Sequence, residues 1–134
     1  MRKKLGFIIS MVIVSAFAFF VFSFPIDIEK LQRTFELDAI YYDEQKTVTI
    51  TFKDNSQKTN FVTLEILGLQ ESFQKTYYSS SFEEVLFFEN TPVHGWKVHP
   101  VILVVDHQEL GKVELKTEIH SVFEPKKPII YGSR

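Results

Sequence analysis

No cysteine occurs in the chain. Its absence excludes disulfides, thiolate metal sites and a cysteine nucleophile, so stability has to come from packing. Methionine is nearly as scarce. Met1 and Met11 both fall at the amino-terminal end, which leaves no thioether elsewhere to help hold copper. Three of the 15 basic residues and none of the 17 acidic ones precede residue 25, so the remainder carries 12 against 17, net −5. A mildly acidic domain of that kind argues against nucleic acid or anionic lipid as its partner. Internal repeats and low-complexity stretches are also missing, and the roughly 110 residues beyond the first 24 suffice for one small core.

What those first 24 residues hold instead is a long apolar run. From Leu5 to Phe24 no charge interrupts Ile8, Ile9, Val12, Ile13, Val14, Phe17, Phe19, Phe20, Val21 and Phe22. At helical rise such a run matches a hydrocarbon core of about 30 Å. With Arg2, Lys3 and Lys4 retained on the cytoplasmic side, the rest of the chain faces outward. Residues 1–24 are therefore expected to form an uncleaved signal anchor, one transmembrane helix. The alternative is a cleaved secretory signal, with a weak processing site at Val21 and Ser23 or at Ala16 and Ala18. Both readings export the domain. Pro25 stops the helix, and residues 25–34 read as a short connector.

Period-two segments fill the remainder. Phe35 to Tyr42 is a loosely patterned first strand. In KTVTITF, Val48, Ile50 and Phe52 alternate with Thr47, Thr49, Thr51 and Lys53, as in a strand with one buried face. Asp54, Asn55, Ser56 and Gln57 form a turn cluster, and Val62, Leu64 and Ile66 point inward on the return strand, so the two segments are expected to make a hairpin. SFQKTYYSSSF suits a strand, a turn and the start of another strand through Phe88. Thr91 to Gly95 then form a loop leading to Trp96.

The stretch Trp96 to His120 reads as a long hairpin around which the domain packs. Val101 to Val105 form a core strand, and Val113, Leu115, Thr117 and Ile119 lie on one face of the returning arm with Glu114, Lys116, Glu118 and His120 on the other. Gln108 to Gly111 supply the loop, with Gly111 placed for a left-handed turn. A four-residue loop sets His99 opposite His120. A register one step away sets Val101, Leu103 and Val105 beside Ile119, Thr117 and Leu115, separating the histidines, and its apolar match favours it. Glu124, Pro125, Lys126, Lys127 and Pro128 interrupt regular structure before IIY, an edge strand or a tail. Seven or eight short strands without an amphipathic helix predict an all-β, immunoglobulin- or fibronectin type III-like antiparallel sandwich over residues 35–131, followed by a tail at 132–134. A small closed barrel is the alternative.

Chemistry-bearing residues are few. His94, His99, His107 and His120 are the candidates for a copper or zinc site, His99 and His120 foremost, yet two histidines make an incomplete site, and strand-end histidines that are solvated or hydrogen-bonded are the plainer reading. Asp106, Glu109, Glu114 and Glu118 are spaced along strands and lack the dense loop that wraps calcium, while Asp54, Asn55 and Ser56 are too few for one. Ser72, Ser79, Ser80 and Ser81 have no nucleophile elbow around them and no identifiable histidine and aspartate partners. Phe35, Tyr41, Tyr42, Tyr77, Tyr78 and Trp96 are divided between core and surface, and each tyrosine pair must turn one ring outward if it lies on a strand.

GWKVHP at Gly95 to Pro100, KTEIH at Lys116 to His120, Glu124 with Pro125, and the preceding FKDNSQKTNFVTLEILGL resemble uncharacterised small exported, membrane-anchored β-rich proteins of ammonia-oxidising archaea. The resemblance spans most of residues 46–131. It implies an archaeal envelope location and the sandwich fold, and transfers no catalytic or binding residue. The expectation from the sequence is a non-enzymatic interaction or structural module on the outer face of a membrane, partnered by another envelope protein and needing no cofactor. The alternative is a histidine-based copper accessory protein.

Overall fold

The computed structural model describes residues 27–133; the apolar segment read as an anchor, residues 1–24, lies outside them. Among the described residues no helix is long and apolar enough to cross a membrane.

The expected connector contains a helix, α1 (Ile28–Thr34). Asp27 caps it by accepting from the Lys30 amide at 3.1 Å, Glu29 and Arg33 complement the dipole at its two ends, and Leu31 alone is buried. One apolar contact in seven residues is too little periodicity to announce a helix in the sequence. Nine strands follow: β1 (Phe35–Tyr42), β2 (Thr47–Asp54), β3 (Thr59–Ile66), β4 (Phe73–Tyr77), β5 (Ser81–Phe87), β6 (Val101–His107), β7 (Gly111–Thr117), β8 (His120–Ser121) and β9 (Ile130–Ser133). They form two sheets, in the orders β5-β2-β1-β8 and β4-β3-β6-β7-β9. The fold is thus an all-β sandwich rather than a single closed barrel, and only the β1–β8 pair is parallel.

β1 alternates cleanly despite its loose appearance. Phe35, Leu37, Ala39 and Tyr41 are buried, and Glu36, Asp38, Ile40 and Tyr42 face out; an outward Ile40 opposite a small inward Ala39 hid the period. The core is closed by Val48, Ile50 and Phe52 from β2, Val62, Leu64 and Ile66 from β3, Val101, Leu103 and Val105 from β6, and Val113 and Leu115 from β7. On β6, Ile102 and Val104 are half-buried on the opposite face, as suits a central strand of a sheet open to solvent on one side.

Three expected pairings are corrected. First, β2 and β3 do not form a hairpin: β2 pairs with β1 and β5, β3 with β4 and β6. Residues 55–58 carry the chain across the sandwich from one sheet to the other. Both strands need an inner face, and alternation alone does not say which sheet each joins. Second, the β6–β7 register matches neither expectation. His107 pairs with Gly111, Leu103 with Leu115 and Val101 with Thr117, around a loop of Gln108, Glu109 and Leu110. Gly111 closes that loop at φ 71°, a left-handed conformation open to glycine. This register aligns every buried residue of β6 with a buried one of β7 as far as Val113. Third, the returning arm does not continue to His120. β7 ends at Thr117, Ile119 is buried, and His120 crosses to the other sheet, pairing with Ile40 of β1.

The strands share one axis with two distinct ends. α1, the 55–58 crossing and the β6–β7 loop lie at one, called here the helix end. At the far end, β1 finishes beside the starts of β2 and the finish of β5, with Tyr42 paired to Thr47 and Thr47 to Phe87. Trp96 plugs the far end from a short 3₁₀ turn (Trp96–Val98), its ring 4.9 Å from Tyr41 and 5.6 Å from Phe88.

Candidate functional site

The helix end contains the densest polar cluster. The inward set of β2 runs Val48, Ile50, Phe52, Asp54, and that of β6 runs Val101, Leu103, Val105, His107, so the period that builds the core also drives a carboxylate and an imidazole inside. Their side chains are 0% and 1% exposed. Asp54 Oδ1 accepts from the Ser56 amide at 2.9 Å and its hydroxyl at 2.6 Å, and Oδ2 accepts from the Lys58 amide at 3.0 Å and the Thr59 hydroxyl at 2.7 Å. Burial pushes the Asp54 carboxyl upward, but the bonds from the Ser56 and Thr59 hydroxyls and the Ser56 and Lys58 amides outweigh it and hold the group below its ordinary value.

Serine, histidine and aspartate in contact invite comparison with a hydrolytic triad, but the tautomer opposes it. His107 Nδ1 faces the amides of Glu109 and Leu110 at 3.2 and 3.1 Å, so Nδ1 is the acceptor and the ring proton sits on Nε2. Nε2 lies 2.9 Å from Ser56 Oγ and 3.2 Å from Asp54 Oδ2, and donates there. A general base must present a free lone pair to the serine, whereas this ring presents its proton and Ser56 gives its own to Asp54. The cluster braces a corner: it fixes the 55–58 crossing and the β6–β7 loop together, with Phe35 edge-on to the imidazole at 5.6 Å.

His120 is held differently. Its Nδ1 lies 2.8 Å from the Ser121 carbonyl and its Nε2 2.7 Å from Asp38 Oδ1. Both partners are hydrogen-bond acceptors. Asp38 Oδ1 also accepts from the Ala39 amide. This pair latches β8 to β1. His99 sits at the far end, where its Nδ1 faces the Leu67 carbonyl at 3.1 Å, and His94 is exposed in the preceding loop. His99 and His120 thus bond to different partners, and among the described residues no three His, Asp or Glu side chains gather as a metal-binding group.

The remaining candidates are dispersed. Asp106 accepts from Asn60, and Glu109 accepts a hydrogen bond from Lys58 that, with the lysine's charge, holds the exposed carboxyl low. Glu114 and Glu118 are half-exposed, Ser79 and Ser80 serve the β4–β5 crossing, and Ser72 and Ser81 are exposed. Each tyrosine pair does turn one ring out: Tyr41 is buried and Tyr42 outward, Tyr77 half-buried and Tyr78 exposed. Tyr77 stacks on Phe82 at 4.0 Å and donates to Glu84; burial, then that bond and the Glu84 charge, raise its phenol well above the ordinary value.

The feature that the sequence reading missed is a face. The outward side of the four-stranded sheet is ordered in rows: Phe87, Thr47 and Tyr42 at the far end, then Val85, Thr49 and Ile40, then Glu83, Thr51 and Asp38, then Ser81, Lys53 and Glu36 nearest the helix end. Across β5, β2 and β1 two rows are apolar around a threonine track and two are charged, while His120 of β8 ends the second row beside Ile40 and Lys126 stands beside Glu36, Asp38, Thr51 and Lys53. Phe87 is 72% and Val85 54% exposed, and Phe123, 92% exposed, follows β8 at the same far end. The signal was available in Val85, Leu86, Phe87 and Phe88, whose blurred alternation means that the strand is apolar on both faces.

Comparison with protein-family models, with curated proteins and with solved structures finds no match to the chain.

Proposed function

We propose that the chain is a membrane-anchored, extracytoplasmic β-sandwich acting as a non-catalytic protein-interaction or structural module of a cell envelope, archaeal by the resemblance noted above. Strand order supports an immunoglobulin- or fibronectin type III-like relationship: β1, β2 and β5 occupy the places of strands A, B and E, and β3, β6 and β7 those of C, F and G. The tryptophan differs in place, capping the far end rather than sitting on the third strand. The observation that carries the interaction reading is the outward apolar face of Val85, Phe87, Ile40 and Tyr42, a kind of surface that marks protein contacts. The polar clusters, by contrast, are spent on holding the fold.

The anchor rests on the uncharged run Leu5 to Phe24 and its basic flank. Residues 1–26 join the sandwich at α1, so the apolar face rises away from the attachment. Mass spectrometry of chains recovered from the membrane fraction is expected to find residues 1–24 retained. A mature chain beginning near Phe19 or Phe24, free in the medium, would overturn the anchor.

A further inference from the structure

We propose that the partner of the outward face is a second copy of this chain, the two four-stranded sheets packing face to face with their far ends level. The proposal deepens the interaction-module reading and rests on it.

All four rows of the face find compatible rows in only one sense of alignment. If the copies were packed head to tail over all four rows, Tyr42 of one would meet Glu36 of the other, Thr47 would meet Lys53 and Phe87 would meet Ser81, setting charges against groups that do not replace their water. A two-fold axis parallel to the strands keeps each row at its own height. With that axis between β1 and β2, Lys53 faces Glu36 of the other copy, twice by symmetry, and Thr51 faces Asp38. Thr49 faces Ile40, Thr47 faces Tyr42, and Phe87 reaches toward the segment bearing Val122 and Phe123. Aligned sheets pack in this way at about −30° and 10 Å separation.

The attachment selects the same alignment independently. Both chains enter at α1, at the helix end, so copies held in one membrane stand side by side with matching ends. Antiparallel pairing of the two β5 edges, the other route by which a sheet recruits a copy, needs an axis across the strands and would turn one attachment away from the membrane. Three strands and four rows give a contact of roughly 15 by 20 Å on each copy, about 600 Å² in all and too little for a stable dimer in free solution. Tethering raises the effective concentration and makes such a contact sufficient.

The test uses the full chain with two different affinity tags, co-expressed, cross-linked with formaldehyde in intact membranes and only then extracted in detergent, so that the contact is read while both copies are tethered. The wild-type chains are expected to co-purify, and Phe87→Asp, at a position already exposed in the single molecule, to reduce recovery at least tenfold with an unchanged circular dichroism spectrum. Lys53→Glu alone and Glu36→Lys alone should each weaken co-purification. A Lys53→Glu chain paired with a Glu36→Lys chain should restore it, because the opposed charges then sit on different molecules. Each variant chain keeps its own mismatched Glu36–Lys53 neighbours, so intramolecular repair cannot explain the rescue. Wild-type chains that fail to co-purify, co-purification that survives Phe87→Asp, or a mixed pair no better than the single variants would overturn the proposal. Failure of the anchor is read separately, from the amino terminus of the recovered chain.

Discussion

A carboxylate removed from water is costly unless hydrogen bonds replace its hydration, and Asp54 receives two amides and two hydroxyls besides the His107 ring. Because those bonds lower its folded-state pKa, the contribution is fully present above the unfolded value near 3.8 and is lost as pH falls through the lower, folded value. Asp54→Asn is therefore expected to destabilise the protein at neutral pH, with the gap from wild type narrowing below about pH 4. Denaturant unfolding across pH 2 to 7 checks this, and a gap that stays constant would mean the carboxylate charge is not what the corner uses. Leu103, wholly buried and paired to Leu115, gives the apolar counterpart. Leu103→Ala should cost about 2 to 5 kcal/mol, and a loss below about 1 kcal/mol would remove it from the core. Leu103 was legible from the sequence and the corner was not, although Asp54 and His107 each continue an inward series. Polarity at those two positions overrode the period, and nothing local connects Ser56, in the turn after Asp54, with His107, 51 positions further on.

Among elements, β2 and β3 were legible as strands because each carries its own alternation, and β1, β4 and β5 only as loose apolar and aromatic segments. Their partners were not. β2 and β3 are separated by a turn that suits a hairpin, yet they lie in different sheets, because the turn residues bond inward to Asp54 and lead the chain across the core. β8 was hidden inside an apparently continuous strand. Its two residues gain little from their own pairing, so the His120–Asp38 contact should carry much of the hold on β1. His120→Ala is expected to lower stability by about 1 to 3 kcal/mol, less than a fully buried pair would, because Asp38 retains 25% exposure. It should also speed hydrogen exchange of the Val122 amide, which donates to the Tyr41 carbonyl at 3.2 Å. Unchanged protection at Val122 would show that the edge holds without the latch.

At the scale of the whole molecule, the boundary of the independently folding unit decides what the membrane segment contributes. The sequence placed the domain at 35–131, whereas the structure ties α1 into it: Leu31 is 4% exposed, Asn55 donates from its amide to the Thr34 carbonyl at 2.8 Å and from its side chain to the Arg33 carbonyl at 3.1 Å, and β9 pairs through Ser133 with Val113. A chain beginning at Asp27 should consequently fold alone, giving a circular dichroism spectrum dominated by strand and one cooperative unfolding transition. A chain beginning at Phe35 should fold less stably by about 2 to 4 kcal/mol, having lost a buried leucine and the two carbonyls that Asn55 uses. Equal stability of the two would make α1 a passive spacer. A longer fragment that fails to fold would mean that the sandwich depends on residues 1–26, and the apolar segment would then belong to the fold rather than to the attachment.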